Sequence, residues 1–282
     1  MIPAASLTVS EPATKLPDLV RGELQSLIDG GKLTLPLLSD VATEVMRLAQ
    51  DERAGAHVFA AAVRKDASMA AHVLRVANGA AVRGQVPIVS LQQAISRLGV
   101  RAVSDIAFAV ACKERVFTAR GFELEVRNVF RHCLMTGLYA QEIARARRTN
   151  VEEAFLSGLL HDVGRPVLLQ AVVDVARKHH VTPPRDAVLA YATERHTSVG
   201  AALVRRWRLP EALAVAIERH HDPYSSDPKV LVVMLADELA DLTARETPHI
   251  VALAAALNLY SEQVEELVKR GEALRATAEQ LS

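Results

Sequence analysis

Aromatic residues are scarce in this sequence. Phe, Trp and Tyr make up 4% of its 282 residues, although hydrophobic residues as a whole make up 50%. The strands of a β-sandwich would be richer in aromatic and β-branched residues, so a composition dominated by Ala, Leu and Val favours close-packed helices. Cysteine is scarcer still, since Cys112 and Cys133 are the only two. That number argues against a disulfide framework and favours a reducing compartment.

The sequence also lacks an excess of charge of either sign and a long hydrophobic run. Its 33 basic and 33 acidic residues balance, so the chain has no strong field to attract nucleic acid. No apolar run reaches the ~18 residues of a membrane-spanning helix, and residues 1–10 lack the basic start and the apolar stretch of a signal peptide. We therefore expect a cytoplasmic protein with no membrane span and no nucleic-acid partner.

Helical periodicity runs through most of the chain, and the expected fold class is all-α. The expected divisions are a flexible leader at residues 1–16, a first helical lobe at 17–115, a second at 116–245 and C-terminal helices at 246–282. The charged stretch from Glu114 to Glu125 marks the boundary between the lobes. Residues 87–90 (PIVS) are the one segment expected to be extended.

Seven histidine and aspartate residues lie near expected helix ends or on apolar helix faces. They are His132, His161, Asp162, His196, His220, His221 and Asp237. Imidazole and carboxylate groups hold Fe, Mn, Ni or Zn, and seven of them suffice for two ions. The pair His161-Asp162 ends a helix that Gly164 and Pro166 must interrupt, so its side chains can converge. His196 precedes Thr197 and Ser198, either of which could cap the next helix.

Each of these residues also has a simpler interpretation. His220 alone could interact with the dipole of a helix C-terminus, His132 could be a buried hydrogen-bonded side chain, and Asp237 could pair with an arginine. Because the seven recur on separate elements, we favour a site for divalent transition-metal ions. Such a site predicts hydrolysis of a phosphoester by metal-activated water. Asp162 would act in catalysis, and Arg165 would bind phosphate.

Further motifs run through both halves of the chain. The first half contains residues 35–41 (LPLLSDV), 66–78 (DASMAAHVLRVAN) and 89–99 (VSLQQAISRLG). The second half contains residues 158–164 (GLLHDVG), 196–203 (HTSVGAAL) and 207–210 (WRLP). Over about residues 34–245 the chain resembles the HDOD (HD-related output domain) family of the HD superfamily of metal-dependent phosphohydrolases. The resemblance implies a two-lobed helical fold with an HD core and a role in bacterial signalling.

The second half is also similar to the catalytic HD-GYP relatives, which cleave cyclic di-GMP. That similarity implies that the seven histidine and aspartate residues form a binuclear ligand set. The chain departs from these relatives at three places. Arg165 stands where they usually have Lys, Asn128 stands where some have a further Glu ligand, and residues 222–227 (DPYSSD) replace their Gly-Tyr-Pro loop.

Two functions remain open from the sequence. The preferred one is a bacterial signal-transduction output protein that retains a binuclear metal site. It would act through protein partners of receiver, kinase or cyclase type, or through a nucleotide ligand. The alternative is an active metal-dependent phosphohydrolase acting on a nucleotide or cyclic dinucleotide. The HDOD half and the missing Gly-Tyr-Pro loop favour the first function, and the intact ligand set favours the second.

Overall fold

The computed structural model describes residues 15–49, 51, 53–79, 88–241 and 247–281. Every regular element in these ranges is an α-helix, which confirms the expected fold class. The expected leader lies outside these ranges apart from Lys15 and the buried Leu16. Pro87 of the expected extended segment also lies outside, and Ile88–Ser90 has no regular secondary structure. Within the same ranges, no helix combines the length and the apolar character needed to cross a membrane.

The helices follow one another with mostly short connections. Their bounds are α1 (Asp18–Asp29), α2 (Asp40–Ala49), α3 (Ala56–Val63), α4 (Ala67–Ala77), α5 (Leu91–Leu98), α6 (Val100–Arg115), α7 (Glu123–Ala146), α8 (Val151–Leu160), α9 (Gly164–Lys178), α10 (Arg185–Arg206), α11 (Glu211–Arg219), α12 (Pro228–Ala240), α13 (Pro248–Ala256) and α14 (Ser261–Leu281).

Two groups of helices pack around a continuous hydrophobic core. In the first group α6 contacts α2 and α4, and α5 contacts α3 and α4. In the second group α7 packs against α8 and α12, and α10 packs against α9 and α11. Helix α1 contacts α9 of the second group, where Glu23 accepts a hydrogen bond from Lys178 Nζ at 2.8 Å. Helix α1 belongs to the expected first lobe but contacts a helix of the expected second lobe. The boundary between the lobes at residue 115 therefore stays a prediction.

Side chains at the junction tie the two groups together. Trp207 donates a hydrogen bond from Nε1 to the carbonyl oxygen of Pro36 at 2.9 Å, and its ring meets Phe108 edge-on. In the connection between α6 and α7, Phe117 and Phe122 are buried. The charged stretch that the sequence marks as a boundary therefore contributes apolar side chains to the core.

Glycines bring the helices that carry the candidate ligands into close contact. A Cβ atom added at Gly158 would lie 2.7 Å from the Cα atom of Gly137, so α7 and α8 meet backbone to backbone. A Cβ atom added at Gly164 would lie 2.0 Å from the carbonyl oxygen of His196 on α10. Any larger residue at these positions would force the helices apart.

We expect Gly164→Ala to lower the free energy of unfolding by about 1–3 kcal/mol or more, because the methyl group meets backbone that cannot rotate away. Thermal unfolding measures this loss. Gly22→Ala is the matched control, since a Cβ atom there has nothing within 4 Å and alanine favours the helix. Equal melting temperatures for the two variants would contradict the described packing.

Asp105 on α6 is a poorly solvated carboxyl group. Gln141 donates a hydrogen bond from Nε2 to its Oδ2 atom at 3.3 Å. Burial, reinforced by the charge of Glu152, raises the pKa of Asp105 to about 7 against the opposite effects of Gln141 and Arg145. The folded protein therefore keeps the proton of Asp105 up to about pH 7, whereas the unfolded chain releases it above about pH 4.

This raised pKa predicts that the contribution of Asp105 to stability falls as the pH rises from about 4 to about 7, at about 1.4 kcal/mol per pKa unit. Asp105→Asn removes the ionisation, so the variant should gain stability over the wild type at pH 8 and differ less at pH 5. Urea unfolding at both pH values measures the difference. An equal difference at the two pH values would mean that Asp105 is ionised in the folded protein.

Candidate metal centre

Three buried histidines are oriented by the backbone in the same way. The Nδ1 atoms of His161, His196 and His220 lie 2.7, 2.6 and 2.7 Å from the carbonyl oxygen of the residue three positions earlier. A carbonyl oxygen only accepts, so each Nδ1 atom carries a proton, and a ring that is neutral keeps its lone pair on Nε2. Metal-binding histidines are oriented by such contacts.

Asp241 orients the fourth histidine. His132 on α7 has its Nδ1 atom 3.0 Å from Oδ1 of Asp241 and its Nε2 atom 2.7 Å from Oδ1 of Asp237. The two carboxylates stand four residues apart at the end of α12, so they share one face. Asp241 was not among the candidate ligands predicted from the sequence, although its position four residues after Asp237 indicates that it shares the same helix face.

The candidate ligands form two groups. His132, His161 and Asp162 offer ligand atoms within 4.8 Å of one another, and so do His196, His220 and His221. Asp237 joins the first group, since its Oδ1 atom lies 3.4 Å from Nε2 of His161. The structure thus brings together all seven residues that the sequence selected.

Asp162 lies between the two groups. Its Oδ2 atom is 3.6 Å from Nε2 of His161 in the first group, and its Oδ1 atom is 3.0 Å from Nε2 of His196 in the second. The side chain of Asp162 is 2% exposed. One carboxylate therefore faces ligand atoms of both groups.

Buried lone pairs at this point have no suitable protein partner. Oδ1 of Asp162 is buried without an aligned hydrogen bond, despite its short distance to His196. The Nε2 atoms of His196 and His220 face each other at 3.3 Å, although both rings carry their proton on Nδ1. Converging lone pairs are unfavourable unless a cation lies among them. The donor set of imidazole and carboxylate groups fits a transition-metal ion.

Asp162, Asp237 and His220 have the ionisation states that bind a metal ion, whereas His161 holds a proton. Burial acts to raise the pKa values of Asp162 and Asp237, but the neighbouring histidines outweigh it and hold both pKa values below their ordinary range. Burial and the neighbouring histidines lower the pKa of His220 to about 3. Burial opposes protonation of His161, but Asp162 outweighs it and raises the pKa of His161. A metal ion would therefore compete with a proton for His161.

A cavity of about 600 Å³ opens on the first group of ligands, and His132, Asp162 and Arg165 line it. The Nε atom of Arg165 lies 3.1 Å from Oδ2 of Asp162, and 29% of the Arg165 side chain is exposed. The arginine therefore stands beside the candidate centre and reaches solvent. Its catalytic role, like that of Asp162, stays a prediction.

The expected helix start after His196 is wrong. Helix α10 runs without a break from Arg185 to Arg206, so His196 lies inside it. The Ser198 hydroxyl donates to the carbonyl oxygen of Arg195 at 3.1 Å instead of capping a new helix. A serine is compatible with the interior of a helix when its hydroxyl donates to a carbonyl oxygen of the preceding turn.

Comparison with known proteins assigns the family. A family model described as HDOD domain matches residues 35–223. The chain belongs to the HDOD family. This match confirms the resemblance drawn from the motifs, and it ends before Asp237 and Asp241.

Two solved structures share the fold of this HDOD protein. One, from Shewanella amazonensis SB2B, is named "Putative metal-dependent phosphohydrolase"; it is 18% identical, has a TM-score of 0.72, and the match covers 93% of this chain and 98% of that chain. Another, from Marinobacter aquaeolei VT8, is named "Putative signal transduction protein"; it is 24% identical, has a TM-score of 0.67, and the match covers 96% and 68%. Identities this low establish likeness of fold alone.

A curated relative of this HDOD protein is an uncharacterized protein of Treponema pallidum (strain Nichols), which is 22% identical over 260 residues. The match covers 88% of this chain and 49% of the relative. The chain thus spans about half the length of that relative.

The contact between Asp241 and His132 predicts that Asp241→Ala weakens transition-metal binding by about 10–100-fold, because the His132 ring loses the group that orients it. Competition with a fluorescent metal chelator measures the affinity. Asp174→Ala is the control, because Asp174 on α9 is exposed and its ion pair with Arg177 is loose at 3.9 Å. Equal affinities for the two variants would show that Asp241 does not support His132.

Proposed function

We propose that this HDOD protein binds two divalent transition-metal ions and hydrolyses a phosphoester. The observation that carries the proposal is the buried Asp162 carboxylate, which lies between two groups of ligands and leaves Oδ1 without an aligned hydrogen bond. Fe, Mn, Ni and Zn all suit ligands of this chemistry.

One ion would be held by His132, His161 and Asp237, the other by His196, His220 and His221, with Asp162 shared. Bound divalent ions supply Lewis acidity and activate water for attack on phosphorus. The Nδ1 contacts fix the histidine rings before any ion arrives, which limits reorganisation at the centre.

Arg165 supplies the group that binds the substrate in this proposal. A guanidinium fork matches the oxygens of a phosphate, and Arg165 lines the cavity next to Asp162. The cavity volume of about 600 Å³ suits a small molecule. The loop at 222–227 (DPYSSD) lacks the Gly-Tyr-Pro sequence, so cyclic di-GMP is not the substrate that we propose.

Signalling through a protein partner is the second candidate. The HDOD family assignment and the shared fold with a protein named for signal transduction favour it. In that case the metal ions would stabilise the fold, and a partner of receiver, kinase or cyclase type, or a nucleotide ligand, would carry the signal. These partners stay predictions, as does the cytoplasmic location.

Elemental analysis of protein purified without added metal is the first test. We expect about two equivalents of a transition metal per chain, as in two-metal hydrolases, and their loss in the double variant His161→Ala/Asp162→Ala. His57→Ala removes an exposed histidine on α3 and should keep the metal. Absence of metal in the wild type, even after addition of Mn or Fe, would refute the proposed centre.

Turnover separates the two candidates. Hydrolysis of bis(4-nitrophenyl) phosphate should require metal and should disappear in Asp162→Ala, while circular dichroism shows an unchanged helical fold. A metal-loaded protein that hydrolyses neither this diester nor a panel of nucleotides would contradict the phosphohydrolase and support the partner-binding candidate.

A further inference from the structure

The cavity beside the metal centre has a second wall that the proposed reaction does not use. Helix α14 packs against α7 and contributes Arg275 and Glu279 to the lining. Arg131, directly before His132 on α7, lines the cavity as well. Together with Arg165, guanidinium groups from α7, α9 and α14 therefore border a single cavity.

Arg275 stands on a helix that is fixed to the rest of the protein. A Cβ atom added at Gly271 would lie 2.5 Å from Oη of Tyr139, so α14 approaches α7 closely one turn before Arg275. Arg270 forms an ion pair with the buried Glu142 of α7, and Ala278 is fully buried. Contacts on both sides thus hold Arg275 at the cavity.

The positive charge of this wall is available to a ligand. None of the described carboxylates forms an ion pair with Arg131 or Arg275. Two carboxylates in the same lining have other partners, since Asp162 contacts Arg165 and Asp241 contacts His132. An anion entering the cavity would therefore meet two guanidinium groups that form no ion pair with a carboxylate in the described part of the chain.

We infer that Arg275, together with Arg131, binds a second anionic group of the substrate. The identity of the first group, a phosphoester at the metal ions and Arg165, rests on the proposed function. The two binding points border one cavity of about 600 Å³, which is in the range of small-molecule sites. The substrate class is a small molecule that carries two phosphates, and Arg275 selects it over a molecule with one.

The test uses ligands that differ by one phosphate. Binding of AMP, ADP and adenosine 3′,5′-bisphosphate is measured by calorimetry at constant ionic strength, on the full chain as purified and after loading with Mn. At least one two-phosphate ligand should bind more tightly than AMP. Arg275→Gln should weaken binding of that ligand by about tenfold or more and binding of AMP by less than about threefold. Arg275→Lys should recover part of the lost affinity.

Lys269→Ala is the matched control, because Lys269 is an exposed cation on α14 that pairs with Glu265 and does not line the cavity. It should leave all three affinities unchanged. Metal content and circular dichroism should match the wild type in every variant. The inference would be overturned if Arg275→Gln lost affinity equally for AMP and the two-phosphate ligands, or lost none. It would also be overturned if Lys269→Ala lost as much affinity, or if the wild type bound none of the ligands. Binding through Arg275 without any turnover would support it and contradict the proposed hydrolysis.

Discussion

The burial of Asp162 is the constraint on which the second half of the structure depends. An ionised carboxylate that is 2% exposed is strongly unfavourable unless positive charge or hydrogen-bond donors surround it. Imidazole rings from several helices and the guanidinium group of Arg165 converge on this side chain, and one of its oxygens still lacks an aligned partner. The helices of the second group are thus arranged around a buried carboxylate whose charge and hydrogen-bonding capacity they only partly satisfy.

That convergence needs helices closer together than side chains normally permit. Packed helices usually stand about 8–10 Å apart, whereas Gly158 brings α8 onto the backbone of α7 and Gly164 brings α9 onto α10. The same glycines lie within three residues of the pair His161-Asp162 in the chain. One short segment therefore supplies both the ligands and the contacts that place the other ligands around them.

The sequence was sufficient for much of this picture. Helical periodicity and the motifs predicted an all-α HDOD protein, and the seven candidate ligands are the residues that the fold brings together. Asp241 could also have been predicted, because its spacing from Asp237 puts both on one helix face. Arg275 could not have been predicted. It follows His132 by more than 140 residues, and no local pattern indicates which helix α14 packs against. The continuity of α10 through His196 was also hidden, because a Ser or Thr that caps a helix and one that bonds back inside a helix look alike in sequence.

The contact between His132 and Asp237 joins residues 105 positions apart. During synthesis the chain therefore exposes His132 and His161 well before Asp237 leaves the ribosome, and a complete ligand set cannot exist until α12 has been made and has packed on α7. Closing so long a loop is slow relative to forming single helices. In the proposed centre, binding of the full set of ions would consequently be a late step in the maturation of the protein, after α12 has packed on α7.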